Sequence, residues 1–131
     1  MKAAENSYKL ARYCAEKALD KKAEDVILIE IKELTDIADY FVILSVDSMT
    51  HLKSVANYLE EETKKNFEQK PVHKDGSGMA GWLVLDYIDV IVHIFLPEKR
   101  AFYDIEGWWA DAPREEFKYE EISDRADKKE G

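Results

Sequence analysis

A chain of 131 residues, 46% hydrophobic and 36% charged, fits one globular domain able to bury about two thirds of the surface of its unfolded form, and is too apolar to be wholly disordered. Its formal charge is -9, and because the last eighteen residues hold seven acids and five bases, residues 1–113 carry -7, a body that repels phosphate backbones and attracts basic proteins. One cysteine, Cys14, excludes an internal disulfide and a multi-cysteine metal site.

From Ala4 the residues Ala4, Tyr8, Ala11, Ala15, Ala18 and Leu19 recur at spacings of three and four, predicting a first helix that ends near Lys21. The N-terminus has no uninterrupted apolar stretch, and no run reaches the ~18 apolar residues of a membrane span, so a cytoplasmic protein without membrane contact is expected. Val26 to Ile31 alternates as a strand with one buried face, and after a loop through Thr35 and Asp36, Tyr40 to Val46 is apolar on both faces, as a central strand is. Asp47 or Ser48 can cap a second helix with Leu52, Val55, Ala56, Leu59 and Thr63 on its inward stripe, stopping before Pro71. Gln69 to Gly81 reads as a loop with room for a short strand at Val72 to Lys74.

Trp82 to Tyr87 and Val90 to Leu96 are separated only by Ile88 and Asp89 and predict an antiparallel hairpin, after which Pro97 starts a third helix. The strand from Tyr40, the second helix and the strand from Trp82 read as a crossover unit, making the sheet mixed. The fold class is therefore α/β of an α+β-like kind: one domain over residues 1–113, with 114–131 read as an acidic flexible tail.

An even-length hairpin turn places Leu83, Leu85 and Tyr87 on one face with Val90, Val92 and Ile94, which is core. The opposite face then carries Trp82, Val84 and Asp86 beside Ile91, His93 and Phe95, too polar for a sealed interior and too aromatic for a plain solvated surface. Aromatic area with an acid beside it suits protein contact. Ile88 is the weak point of the turn, because a β-branched residue resists positive φ.

The segment DYFVILSVDSMTHLKSVANYLEE, followed by DG, GWLVLDYIDVIVHIF and KRAFYDIEGWW, resembles the Iojap family, the ribosomal silencing factors called RsfS, over about residues 5 to 110. The matching positions are Asp39 to Ile43, Ser48, Trp82, Asp86, Val92, His93, Arg100, Tyr103, Glu106 and Trp109. The resemblance implies a nucleotidyltransferase-like topology used without catalysis and without a cofactor. It implies docking on the large ribosomal subunit, on its ribosomal protein fourteen, so that joining of the small subunit is obstructed and translation repressed. Carried over by position, the partner-binding residues are Asp75, Trp82, Asp86 and Tyr87, with Arg100, Tyr103 and Glu106. The chain departs from the family pattern at Ile88 (commonly Gly), Thr50 (often Arg) and Trp108 (usually Leu).

Each of these residues also has a simpler reading. Trp82 can be a strand-end core residue, Asp86 a strand terminator before a turn, and Arg100, Tyr103 and Glu106 neighbours three apart on one helix. His93, among apolar residues, reads as a buried hydrogen-bonded imidazole, and His51 and His73 have no close metal-ligating companion. A magnesium-dependent nucleotidyltransferase would need a Gly-Ser phosphate turn and paired carboxylates; Ser48 lacks the Gly, and Asp86 and Asp89, three apart, point to opposite strand faces. The same outer face could instead pair with its own copy in a homodimer. Sequence-specific nucleic-acid contact is not expected.

Overall fold

The computed structural model describes residues 2–76 and 80–118. Its elements are α1 (Lys2–Asp20), β1 (Glu24–Glu30), β2 (Tyr40–Ser45), α2 (Met49–Phe67), β3 (His73–Asp75), β4 (Trp82–Asp86), β5 (Val90–Phe95), α3 (Pro97–Tyr103), α4 (Ile105–Trp108) and β6 (Arg114–Phe117). The six strands form one mixed sheet in the order β3-β4-β5-β2-β1-β6, with β2 and β5 parallel and every other neighbouring pair antiparallel.

The first helix packs Leu10, Ala11, Cys14, Ala15 and Ala18 into the main core, and α2 buries the five residues of its predicted stripe. Ser48 is the N-cap of α2, its hydroxyl accepting from His51 N–H at 3.0 Å. Both helices cover one face of the sheet, meeting Val26, Leu28, Val42, Leu44, Leu83, Leu85, Val92 and Ile94. Every residue of β2 is buried, as its doubly apolar pattern predicts. Each such aliphatic side chain contributes roughly 1.5–3 kcal/mol. Cys14 lies fully inside, where burial pushes its thiol up to about 12 and leaves it unreactive at neutral pH. Among the described residues no helix is long and apolar enough to cross a membrane.

The structure corrects three expectations. The crossover from β2 closes on β5, not on the strand from Trp82: β4 is inserted first as the antiparallel neighbour of β5. The domain also runs past Pro113, because Arg114–Phe117 pairs with β1 and buries Phe117 to 5% exposure. Backbone hydrogen bonds to an open sheet edge and one aromatic side chain make that strand, helped by Tyr8, whose hydroxyl donates to Glu115 at 3.0 Å. Residues 119–131 of the expected tail lie outside the described residues. The short strand after α2 falls at His73–Asp75, one residue later than expected.

Candidate protein-docking face

The other face of the sheet is unevenly covered. Over β1 and β2 the segment after β5 folds back, so that Ile105, Trp109 and Ala112 pack on Ile27, Ile29, Phe41 and Ile43. This return is held by Arg100. Its side chain, 12% exposed, donates through Nη1 to the Asp25 carbonyl at 2.7 Å and to Ser45 Oγ at 2.8 Å, and through Nε to the carboxylate of Glu106. Asp25 itself sits at φ 49° where the pairing of β1 with β2 shifts register, so the guanidinium ties a bulge, the end of β2 and α4 together.

Over β3, β4 and β5 the face stays half open. The hairpin has the even two-residue turn, with Trp82 opposite Phe95, Val84 opposite His93 and Asp86 opposite Ile91. Cross-strand partners share a face, so the pairing of β3 adds Asp75 beside Val84 and His73 beside Asp86. Trp82, Val84, Asp86 and Ile91 are half-buried, whereas His73 and Asp75 are exposed on the short edge strand. Gly76, at φ 80°, ends that strand where a Cβ would stand 2.4 Å from the Trp82 carbonyl oxygen.

An aromatic stack fixes one end of the strip. The Trp82 ring lies on Phe95 at 5.0 Å and meets Tyr103 at 4.7 Å, and Tyr103 in turn carries Phe102 edge-on at 5.1 Å. The indole N–H of Trp82 donates to His93 Nδ1 at 3.2 Å. Because an indole nitrogen only donates, Nδ1 must accept, and the neutral ring carries its proton on Nε2. That Nε2 is buried without a hydrogen-bond partner, and the ring meets Phe41 edge-on at 4.5 Å. Burial lowers the His93 pKa to about 3, so the ring remains an uncharged prop under Trp82 at neutral pH.

The predicted site residues therefore divide. Asp75, Trp82 and Asp86 share the open face, and Tyr103 extends it from α3. Tyr87, expected among them, is 5% exposed and points to the helices, its hydroxyl bonded to Thr63 Oγ1 at 2.9 Å and its pKa raised by burial. That is the core side its register dictates. Arg100 and Glu106 face each other, but not along one helix, because the chain breaks at Asp104, φ 45°, between α3 and α4. Their mutual pairing leaves them a structural clamp. Asp86 also holds the turn, its Oδ1 accepting from Ile88 N–H at 2.7 Å. Sequence reasoning missed the exposed aromatics Phe102 (78%) and Trp108 (80%), which flank Tyr103 on α3 and α4. Their signal was two large rings in a short helical stretch with no apolar stripe to absorb them.

Chemically the face offers rings, aliphatic area and two carboxylates. Ser48 is occupied as a helix cap. Among the described residues no group of three or more His, Cys, Asp and Glu side chains is placed to hold a metal ion.

A solved structure from Chromobacterium violaceum has the same fold: TM-score 0.72 at 30% identity, covering 81% of this chain and 85% of that one. The class is thus a single-domain α+β protein with a mixed six-stranded sheet backed by two helices. A family model described as ribosomal silencing factor during starvation, RsfS, matches residues 4–131, and the chain belongs to that family. It is 31% identical over 109 residues to the ribosomal silencing factor RsfS of Bacillus subtilis, covering 82% of this chain and 91% of the relative. It is also 32% identical over 91 residues to a mouse protein named for mitochondrial assembly of the ribosomal large subunit, covering 68% of this chain and 40% of that one.

Proposed function

We propose that this chain is a noncatalytic ribosomal silencing factor that acts in the cytoplasm. It docks on the large ribosomal subunit through ribosomal protein fourteen and obstructs joining of the small subunit, repressing translation. Family membership supports a ribosomal role, and the name of the mouse relative supports the large subunit as the site of action. The observation that carries the docking mode is the half-open strip on β4 and β5, where Trp82 stacks on Phe95 and meets Tyr103 on the face that Asp75 and Asp86 share. A rigid indole on an acidic rim suits a basic protein surface, and the -7 charge of residues 1–113 steers the chain toward one while disfavouring a grip on rRNA phosphates.

Cosedimentation with purified large subunits tests this directly. The wild-type chain is expected to travel with them, and Trp82→Ala and Asp86→Lys to be left behind. Undiminished binding by both variants would refute the assigned face, and a wild-type chain that stays in the supernatant would refute the function.

A further inference from the structure

The tip of the β4–β5 hairpin sets residue type against conformation. Ile88 sits at φ 75°, and Asp89 N–H donates to the Tyr87 carbonyl at 3.0 Å, spanning that single residue. A hydrogen bond across one residue with positive φ marks the rarer and strained of the two γ-turn forms. A β-branched side chain is among the worst occupants of such a corner, and glycine the natural one. The corner is braced on both sides: Asp86 Oδ1 accepts from Ile88 N–H at 2.7 Å, and Tyr87 N–H donates to the Val90 carbonyl at 2.8 Å. The side chain so held is 60% exposed and joins neither core cluster. Backbone strain of this kind clusters at functional sites.

The same end of the sheet collects further apolar surface. Asp39 N–H donates to the Asp89 carbonyl at 2.8 Å, bringing the β1–β2 loop beside the hairpin tip, and that loop exposes Leu34 (53%) and Ile37 (60%). Val72, also exposed, is tied to β4 through its N–H on the Asp86 carbonyl at 2.8 Å. Half-buried Ile91 joins this end to the strip that holds Asp86. The charge here is mainly negative: the β1–β2 loop, residues 31–39, holds Glu33, Asp36 and Asp39 against Lys32, which pairs with Glu30 at 3.6 Å, and residues 86–89 add Asp86 and Asp89 with no Lys or Arg. Such a surface repels a phosphate backbone, and a second copy of the chain would bring its own carboxylates against these.

We propose that Ile88, with Ile37 and Leu34 of the adjoining loop, is a second hydrophobic anchor of the docking face, and that it enters an apolar socket rimmed by Lys or Arg on the protein partner. This rests on the docking function above and adds where the far end of the interface lies and what chemistry receives it.

The test compares the full-length wild type with Ile88→Gly and Ile88→Asn, both of which tolerate positive φ, and with Trp82→Ala. Each is melted and titrated against purified large ribosomal subunits in a cosedimentation assay. Ile88→Gly and Ile88→Asn are expected to melt at the wild-type temperature or a few degrees above it, while binding falls about tenfold or more, the loss that follows from removing one buried aliphatic side chain from an interface. Wild-type affinity in both variants would overturn the anchor, and so would melting well below wild type, which would make Ile88 a packing residue. If Trp82→Ala fails to bind while both Ile88 variants bind normally, docking stands and only this inference falls. A wild-type chain that does not cosediment removes both.

Discussion

The buried imidazole of His93 makes stability depend on pH in a way that can be worked out in advance. Its ordinary pKa of 6.5 falls to about 3 in the folded chain because burial disfavours the charged ring. The unfolded chain therefore takes up a proton near pH 6.5 that the folded chain refuses until about pH 3. Its share of stability is fully present above pH 6.5 and is lost steadily as pH falls toward 3. At 1.36 kcal/mol per unit, lowering the pH from 7 to 5 crosses about 1.5 units of that window and removes about 2 kcal/mol. Urea unfolding of wild type and His93→Phe at pH 7 and pH 5 isolates the effect, since carboxylates titrate in both proteins and cancel in the difference. Phenylalanine suits the pocket between Phe41 and Phe95, and the half-buried Trp82 can pass its N–H to water. Wild type should lose about 2 kcal/mol more than the variant over that interval. Equal losses in the two proteins would refute the assignment of a buried neutral imidazole.

Tyr87→Phe removes the hydroxyl that meets Thr63 in the core, so it should lower stability by about 1–2 kcal/mol in denaturant titration while leaving large-subunit cosedimentation unchanged. Arg100→Met strips the hydrogen bonds to Asp25 and Ser45 and leaves Glu106 without its cation, a loss of about 3 kcal/mol that the unfolding midpoint would register. Gly76→Ala forces a Cβ against the Trp82 carbonyl at positive φ and should destabilise by roughly 2 kcal/mol or more, with tryptophan fluorescence reporting the disturbance at Trp82.

Much of this was legible in the residues. The period of three and four in α2 marked the five side chains that are buried, and the doubly apolar run of β2 marked the centre of the sheet. Parity alone divided the hairpin, since a two-residue turn admits only one assignment of faces. Parity also put Tyr87 in the core, and carrying it to the docking set by family position overrode that physics. Other features leave no local trace. Which of two successive strands pairs with β2 is decided by hydrogen bonding across the sheet, so the residues alone point to β4 where the parallel partner is β5. The strand β6 offers one buried aromatic in a charged stretch, and only the open edge of β1 makes it a strand. The break at Asp104 carries no proline or glycine of its own. It is supported from Gly107, where a Cβ would stand 2.4 Å from the Asp104 carboxylate.

The open face of β4 and β5, opposite the helices, is the surface proposed to meet the large ribosomal subunit. A photoreactive phenylalanine analogue placed at Val84 on that face, and separately at Glu61 on the exposed side of α2, measures it most directly. Irradiation with purified large subunits should join the chain to a ribosomal protein from position 84 and not from position 61. Cross-links from position 61 with none from position 84 would contradict the account.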